Sequence, residues 1–243
     1  MKHFPCSERP TRRAFTLIEM LVVVTIIVLM MAIATPSLMR TMQATRLAST
    51  GDSLFGTLTE AKQLAFAQNV PVELRFFKHS DQDSPGSSVD LFRSYQLFKI
   101  VITTKGVGAA ATFTESVVPV GSLSKLSDGV VICTDKELSP YLNSLTGTSF
   151  DDVKPNSSGG VGYSGVTGAK YNAIRFMPDG SCRRIGAVQN GFAQMDYGTL
   201  STSFFTLTYN TGQEVTTSTL PKNFYTIQID PYNGKVRNYR PGF

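Results

Sequence analysis

The chain has 243 residues and a formal net charge of +5, with three cysteines and two histidines. His3 and His79, with no Cys-x-x-Cys pair beside them, exclude an HExxH zinc site and a zinc ribbon. Lys2, Arg9, Arg12 and Arg13 against Glu8 supply +3 of the charge within residues 1–14, and the remaining +2 is too little to coat nucleic acid by bulk charge.

Behind that basic leader, residues 15–34 form a run of twenty in which only Glu19 ionises. An α-helix of that length crosses a hydrocarbon core of about 30 Å. A carboxylate there costs a few kcal/mol and calls for a cationic partner. The excess of Lys and Arg before the run sets the N-terminus on the cytoplasmic side, and no second apolar run is long enough to span, so one crossing is expected.

The residues Phe15, Thr16, Leu17, Ile18 and Glu19 resemble the N-terminal cleavage and methylation motif of type IV pilins and type II secretion pseudopilins. The resemblance implies that a membrane prepilin peptidase cuts between Ala14 and Phe15 and methylates the new Phe15 amine. It also implies that Glu19 pairs with the N-terminal amine of a neighbouring subunit during assembly. Ala14 departs from the motif, which places Gly before the scissile bond; as the smallest substitute it implies slower processing. Two other readings fit the same residues: an ordinary secretory signal cut after Ala32-Ile33-Ala34, or an uncleaved anchor. Glu19 argues against the secretory signal, whose apolar region gains nothing from an acid near its start.

Helical character continues past Ala34, with Pro36 expected to kink it, as the resemblance also implies. From there Leu38, Met42, Leu47, Leu54, Leu58, Ala61 and Ala65 recur at mostly helical spacing, with Arg40, Arg46, Asp52, Glu60 and Lys62 on the wet side and Gly51 and Gly56 weakening the middle. Asn69 closes the helix and Pro71 cannot continue it. Helical throughout, residues 15–69 would reach about 80 Å.

The rest reads as β structure. Val72, Leu74 and Phe76 alternate with Glu73 and Arg75, and residues 93–103 are rich in aromatic and β-branched types. Further strands are expected at 130–134, 173–177, 181–185, 204–209 and 224–230. Pro178-Asp179-Gly180 and Pro231-Tyr232-Asn233-Gly234 mark hairpin turns. The polar stretches 79–90, 105–115, 139–170 and 186–203 read as surface loops. The expected fold class is α+β: a long N-terminal membrane-spanning helix whose outer half packs on an antiparallel β-sandwich-like head. Its parts are a cleaved leader at 1–14, a transmembrane helix at 15–39, an amphipathic continuation at 40–69 and an exported head at 70–243.

The helix end LTEAKQLAFAQNVPVELRF, the hairpin IRFMPDGSCRR and the closing IQIDPYNGKVR together resemble minor pseudopilins of the GspH or FimT-like type. A further resemblance is to the pseudopilin cassettes described as Verru_Chthon cassette protein D. These likenesses imply a subunit of an inner-membrane, single-pass kind, with its head in the periplasm, that assembles with other pilin or pseudopilin subunits into a type II secretion-like pseudopilus or a type IV pilus. An alternative is DNA capture for uptake, because Lys235, Arg237 and Arg240, interleaved with Tyr239, are close to the Gly-Arg-x-Arg phrase of FimT-like minor pilins. Cys133 and Cys182 remain once Cys6 leaves with the leader, and outside the cytoplasm such a pair can oxidise to a disulfide.

No enzyme is expected and no cofactor. His79 reads as a solvated loop residue, and Ser164 lacks the spacing of a nucleophile elbow. Asp81 and Asp83 lack the later ligands of a calcium loop, and Asp151 and Asp152 read equally as solvated acids.

Overall fold

The computed structural model describes residues 15–79, 90–106, 112–143, 170–189, 192–210 and 212–241. Asp81, Asp83, Asp151, Asp152 and Ser164 lie outside the described residues. The chain divides into two compact units, residues 1–43 and 44–243.

A single α-helix, α1 (Leu17–Gln68), belongs partly to each unit. It runs through position 36 without a break. It stops where Asn69 turns left-handed at φ 51°, a conformation that asparagine tolerates and that ends helices, with Pro71 following. In the first unit, residues 15–33 are all exposed. In the second, Leu47, Thr50, Gly51, Leu54, Leu58, Ala61 and Ala65 recur at spacings of three and four and are all buried, a stripe one face wide. Leu38 and Met42, read from the sequence as the start of that stripe, are exposed instead. The expected periodicity begins only at Leu47.

Among the described residues ten strands follow: β1 (Val72–His79), β2 (Leu91–Lys105), β3 (Thr112–Lys125), β4 (Val130–Ile132), β5 (Lys170–Phe176), β6 (Cys182–Gln189), β7 (Phe192–Asp196), β8 (Phe204–Tyr209), β9 (Tyr225–Ile229) and β10 (Val236–Tyr239). All pairings are antiparallel. They join in one sheet of order β10-β9-β8-β4-β2-β1-β5-β6-β7, with β3 attached to β2. The α+β expectation of a long N-terminal helix against antiparallel strands holds. β3 and β7 were not foreseen: β7 lies within the polar stretch 186–203 and the start of β3 within 105–115, both read as loop, and residues 116–125 carried no strand expectation. β3 carries Pro119 and Gly121 and has β2 as its only strand partner, where a missing donor is tolerated.

The sheet has apolar residues on both faces. On the helix side Leu47, Leu54, Leu58, Ala61 and Ala65 meet Val72, Leu74, Phe76, Ile174, Phe176, Phe205, Tyr225 and Ile227 in the main core. On the other side a smaller cluster gathers Phe77, Phe98, Tyr171, Ala173 and Ile185. The two turns marked in the sequence meet each other: the Cys182 amide donates to the Pro231 carbonyl at 2.9 Å. A Cβ on Gly234, where φ is 62°, would stand 2.6 Å from the Gly180 carbonyl oxygen, so no side chain fits at that approach.

Two single-residue expectations change. His79 is the buried last residue of β1, with Nε2 at 3.2 Å from the Ser94 hydroxyl, rather than a solvated loop histidine. Strand pairing of β1 with the start of β2 carries it inward. Cys133 and Cys182 form no disulfide; both are free and buried. Cys182 points into the main core, whereas Cys133 packs with Leu138 and Val215. Along the sheet β4 and β6 are four strand spacings of about 4.8 Å apart, well beyond disulfide reach by that path. Burial pushes both thiols up to about 12, so they stay protonated and slow to oxidise.

Candidate functional site

The helix start is built by a four-residue pattern, Thr16-Leu17-Ile18-Glu19, that caps a helix locally. The Glu19 amide donates to Thr16 Oγ1 at 3.2 Å, and the Thr16 amide donates back to Glu19 Oε2 at 3.2 Å. The Thr16 hydroxyl also donates to that oxygen, at 3.2 Å. This reciprocal arrangement satisfies two backbone donors that a helix start leaves orphaned, and it places a negative charge at the positive end of the helix dipole. Both contacts to the carboxylate use Oε2; among the described residues Oε1 makes none. Phe15 is exposed beside it, and Ala14 lies outside the described residues. Further along, the hydroxyls of Thr25 and Thr35 donate to the carbonyls of Leu21 and Met31, four residues back. Their polarity is thereby absorbed within the helix, as a lipid or protein neighbour of apolar character requires. Among the described residues α1 is the one helix long and apolar enough to cross a membrane.

The C-terminal hairpin, the other site read from the sequence, has its turn fixed by Asp230. Its Oδ1 accepts the Tyr232 amide at 3.0 Å, and its Oδ2 accepts the Asn233 side-chain amide at 2.8 Å. Arg237 stands opposite Gln228 in the ladder, and the Tyr239 hydroxyl donates to the Gln228 side chain at 3.1 Å. Lys235, Arg237 and Tyr239 thus share one exposed face by the period of two. Arg240 falls on the opposite face, its guanidinium 5.9 Å from the Tyr225 ring centre. The three cations are therefore divided two and one.

Sequence reasoning missed a polar bridge between α1 and this hairpin. Tyr225 donates to Asp52 at 2.8 Å, and the Asn238 side chain donates to the Tyr225 hydroxyl at 2.7 Å. It also missed a buried ionic cluster on the sheet face away from the helix. There Glu73 accepts from Arg75 Nε at 2.6 Å and from Arg175 Nη2 at 2.8 Å, while Arg175 Nη1 meets Glu115 at 3.0 Å. Burial pushes the Glu73 carboxyl up, but the two guanidinium groups outweigh it and hold the group below its usual value. Alternating charge along β1 was visible in the sequence; that both of its faces are covered was not. Among the described residues no cluster of histidine, cysteine and acidic side chains is arranged to hold a metal.

Residues 9–35 match the family model described as the prokaryotic N-terminal methylation motif. No curated protein and no solved structure matches the chain. The chain thus carries a prokaryotic N-terminal methylation motif, and that motif lies at the start of a helix long and apolar enough to enter a membrane.

Proposed function

We propose that the protein is a pilin-like subunit, of the minor pseudopilin kind with GspH or FimT-like character, that is cut and methylated at Phe15 and assembles through its N-terminal helix. The observation that carries this reading is the match of residues 9–35 to the methylation motif, on a helix whose residues 15–33 are all exposed. An apolar surface of that length needs a covering, which is lipid before assembly and sibling helices afterwards. Glu19 caps its own helix through Oε2, and Oε1 is the oxygen on which a neighbouring subunit's amine would bear. In this reading apolar packing supplies the affinity and the charge pair sets the register.

N-terminal sequencing and intact mass of the membrane-extracted protein should give a methylated Phe15. A start at Thr35, or an intact Met1, would sink the reading. Glu19→Leu should still enter the membrane yet fail to co-purify with sibling subunits; assembly equal to the parent would remove the charge pair from the mechanism.

DNA capture is the second reading, and the pairing of Lys235 and Arg237 on one exposed strand face favours it. Phosphate contacts of that kind give an affinity that falls steeply with salt. With Arg240 turned to Tyr225, we expect no salt-sensitive retardation of duplex DNA. Retardation lost in a Lys235, Arg237 and Arg240 triple neutralisation would revive that reading.

A further inference from the structure

Strand β2 outruns the body of the sheet. Its pairing with β1 ends at Val72 and Lys99, and the Ile100 amide takes the Pro71 carbonyl at 2.9 Å. Beyond that point β2 pairs with β3 alone, from Val101 opposite Ser116 to Lys105 opposite Thr112. Residues 101–105 are all exposed. A two-stranded ribbon of this length is marginal in water without something to lie on.

The ribbon does not project freely, because Glu115 on β3 reaches Arg175 on β5 with both carboxylate oxygens, at 3.0 and 3.2 Å. Between β3 and β5 in the sheet lie β2 and β1. Three strand spacings come to about 14 Å, so this contact requires the ribbon to curl back over the sheet's outer face. Near that contact lie Phe77, Phe98, Tyr171, Ala173 and Ile185, against which pack Val117 of β3, at the root of the overhang, and Leu123, beside the body of β2. The Arg75 guanidinium rests 4.7 Å from the Phe98 ring centre and 4.4 Å from that of Tyr171.

We propose that the overhanging β2–β3 ribbon is a strap, clasped by Glu115 on Arg175, that opens while the rest of the head stays folded and so lifts Val117 from the apolar patch beside it. The arrangement of charges makes the opening separable. Arg175 is shared: its Nε and Nη2 also hold Glu73 Oε2, at 3.1 and 2.8 Å, and Glu73 holds Arg75 as well. When Glu115 lets go, Arg175 keeps a partner and no guanidinium is abandoned in the interior, the costly outcome of breaking a buried pair. The clasp carboxylate is itself 13% exposed, so it is already near water. The groups facing it are Arg175, with Glu73 and Arg75 beyond, and the Met195 sulfur at 4.0 Å from Arg175. Two irregularities mark where the ribbon can bend. The β2–β3 register shifts between Tyr95 and Leu97, and Gly121 takes φ 69° with open space around it.

Amide hydrogen exchange, followed by mass spectrometry on the full chain in detergent micelles, tests the strap. Glu115→Gln should speed exchange of ladder amides in residues 100–105 and 112–118 by at least 10-fold and leave β5, β8 and β9 as they were. Glu73→Gln, which strips both guanidinium groups of their common partner, should speed exchange in every strand. A second measurement needs no variant: in the parent protein at rising urea, the ribbon amides should exchange through an opening smaller than the one that frees β1. The strap is overturned if Glu115→Gln speeds all strands alike or none, or if ribbon and β1 amides follow a single unfolding curve.

Discussion

The two halves of α1 obey different rules. Residues 17–33 are apolar but for Glu19 and Thr25 and exposed on every side, whereas from Leu47 onward full burial is confined to one stripe, with Asp52, Glu60 and Lys62 off it. A helix apolar all round needs an apolar surrounding, and a striped helix needs one partner surface. The second half has that surface within its own chain, in the core it shares with Phe76, Phe205 and Tyr225. The first half has none among the described residues.

The comparison breaks most sharply on leucine truncation. Leu54→Ala, at a fully buried position, should cost the head about 3 kcal/mol in urea unfolding of the detergent-solubilised chain. Leu29→Ala, in the exposed half, should leave that midpoint unmoved while weakening co-purification with siblings. Equal effects on head stability would abolish the distinction.

Acid should separate the halves too. The Glu73 carboxyl, held below its ordinary 4.5, contributes stability that is whole above that pH and is lost as pH falls towards the lowered value. The head's unfolding midpoint should therefore decline below about pH 4.5, and Glu73→Gln should flatten that decline.

Two glycines sharpen the contrast within the striped half. A methyl on Gly51 would lie 2.6 Å from the Tyr225 ring, so Gly51→Ala should destabilise by about 1 kcal/mol despite the better helix propensity. Gly56 has nothing within 4 Å, and Gly56→Ala should stabilise by up to about 1 kcal/mol. Matching signs for the two substitutions in thermal unfolding would mean that the Tyr225 contact is not the reason for Gly51.

The same contrast explains what could be read in advance. The helix, its end at Asn69, the β8 strand and both turns follow local rules of periodicity and turn chemistry, and these were legible. Glu19 was legible as an acid in an apolar run, although its capping partner Thr16, three residues away, went unremarked. What stayed hidden depends on residues far apart in sequence. Gly51 looked like a weak point in a helix because the ring it admits belongs to Tyr225. Glu73 and Arg75 were legible only as residues alternating with apolar ones, because their partner, Arg175, lies 102 residues on from Glu73. The start of β3 looked like loop because its partner strand, rather than its own composition, makes it a strand. Cys133 and Cys182 looked like a pair because a sequence does not show how many strands stand between them.

The bond from Tyr225 to Asp52 spans 173 residues, so the order of synthesis matters to it. The helix is made before Phe205, Leu207, Tyr225 and Ile227, which share its core. Contacts of such separation form late, after the entropy of closing a long loop has been met. The stripe of the helix therefore stays without its Tyr225 cover until that residue has been made. A product cut short before Tyr225 would lack both the ring that lies against Gly51 and the hydroxyl that donates to Asp52.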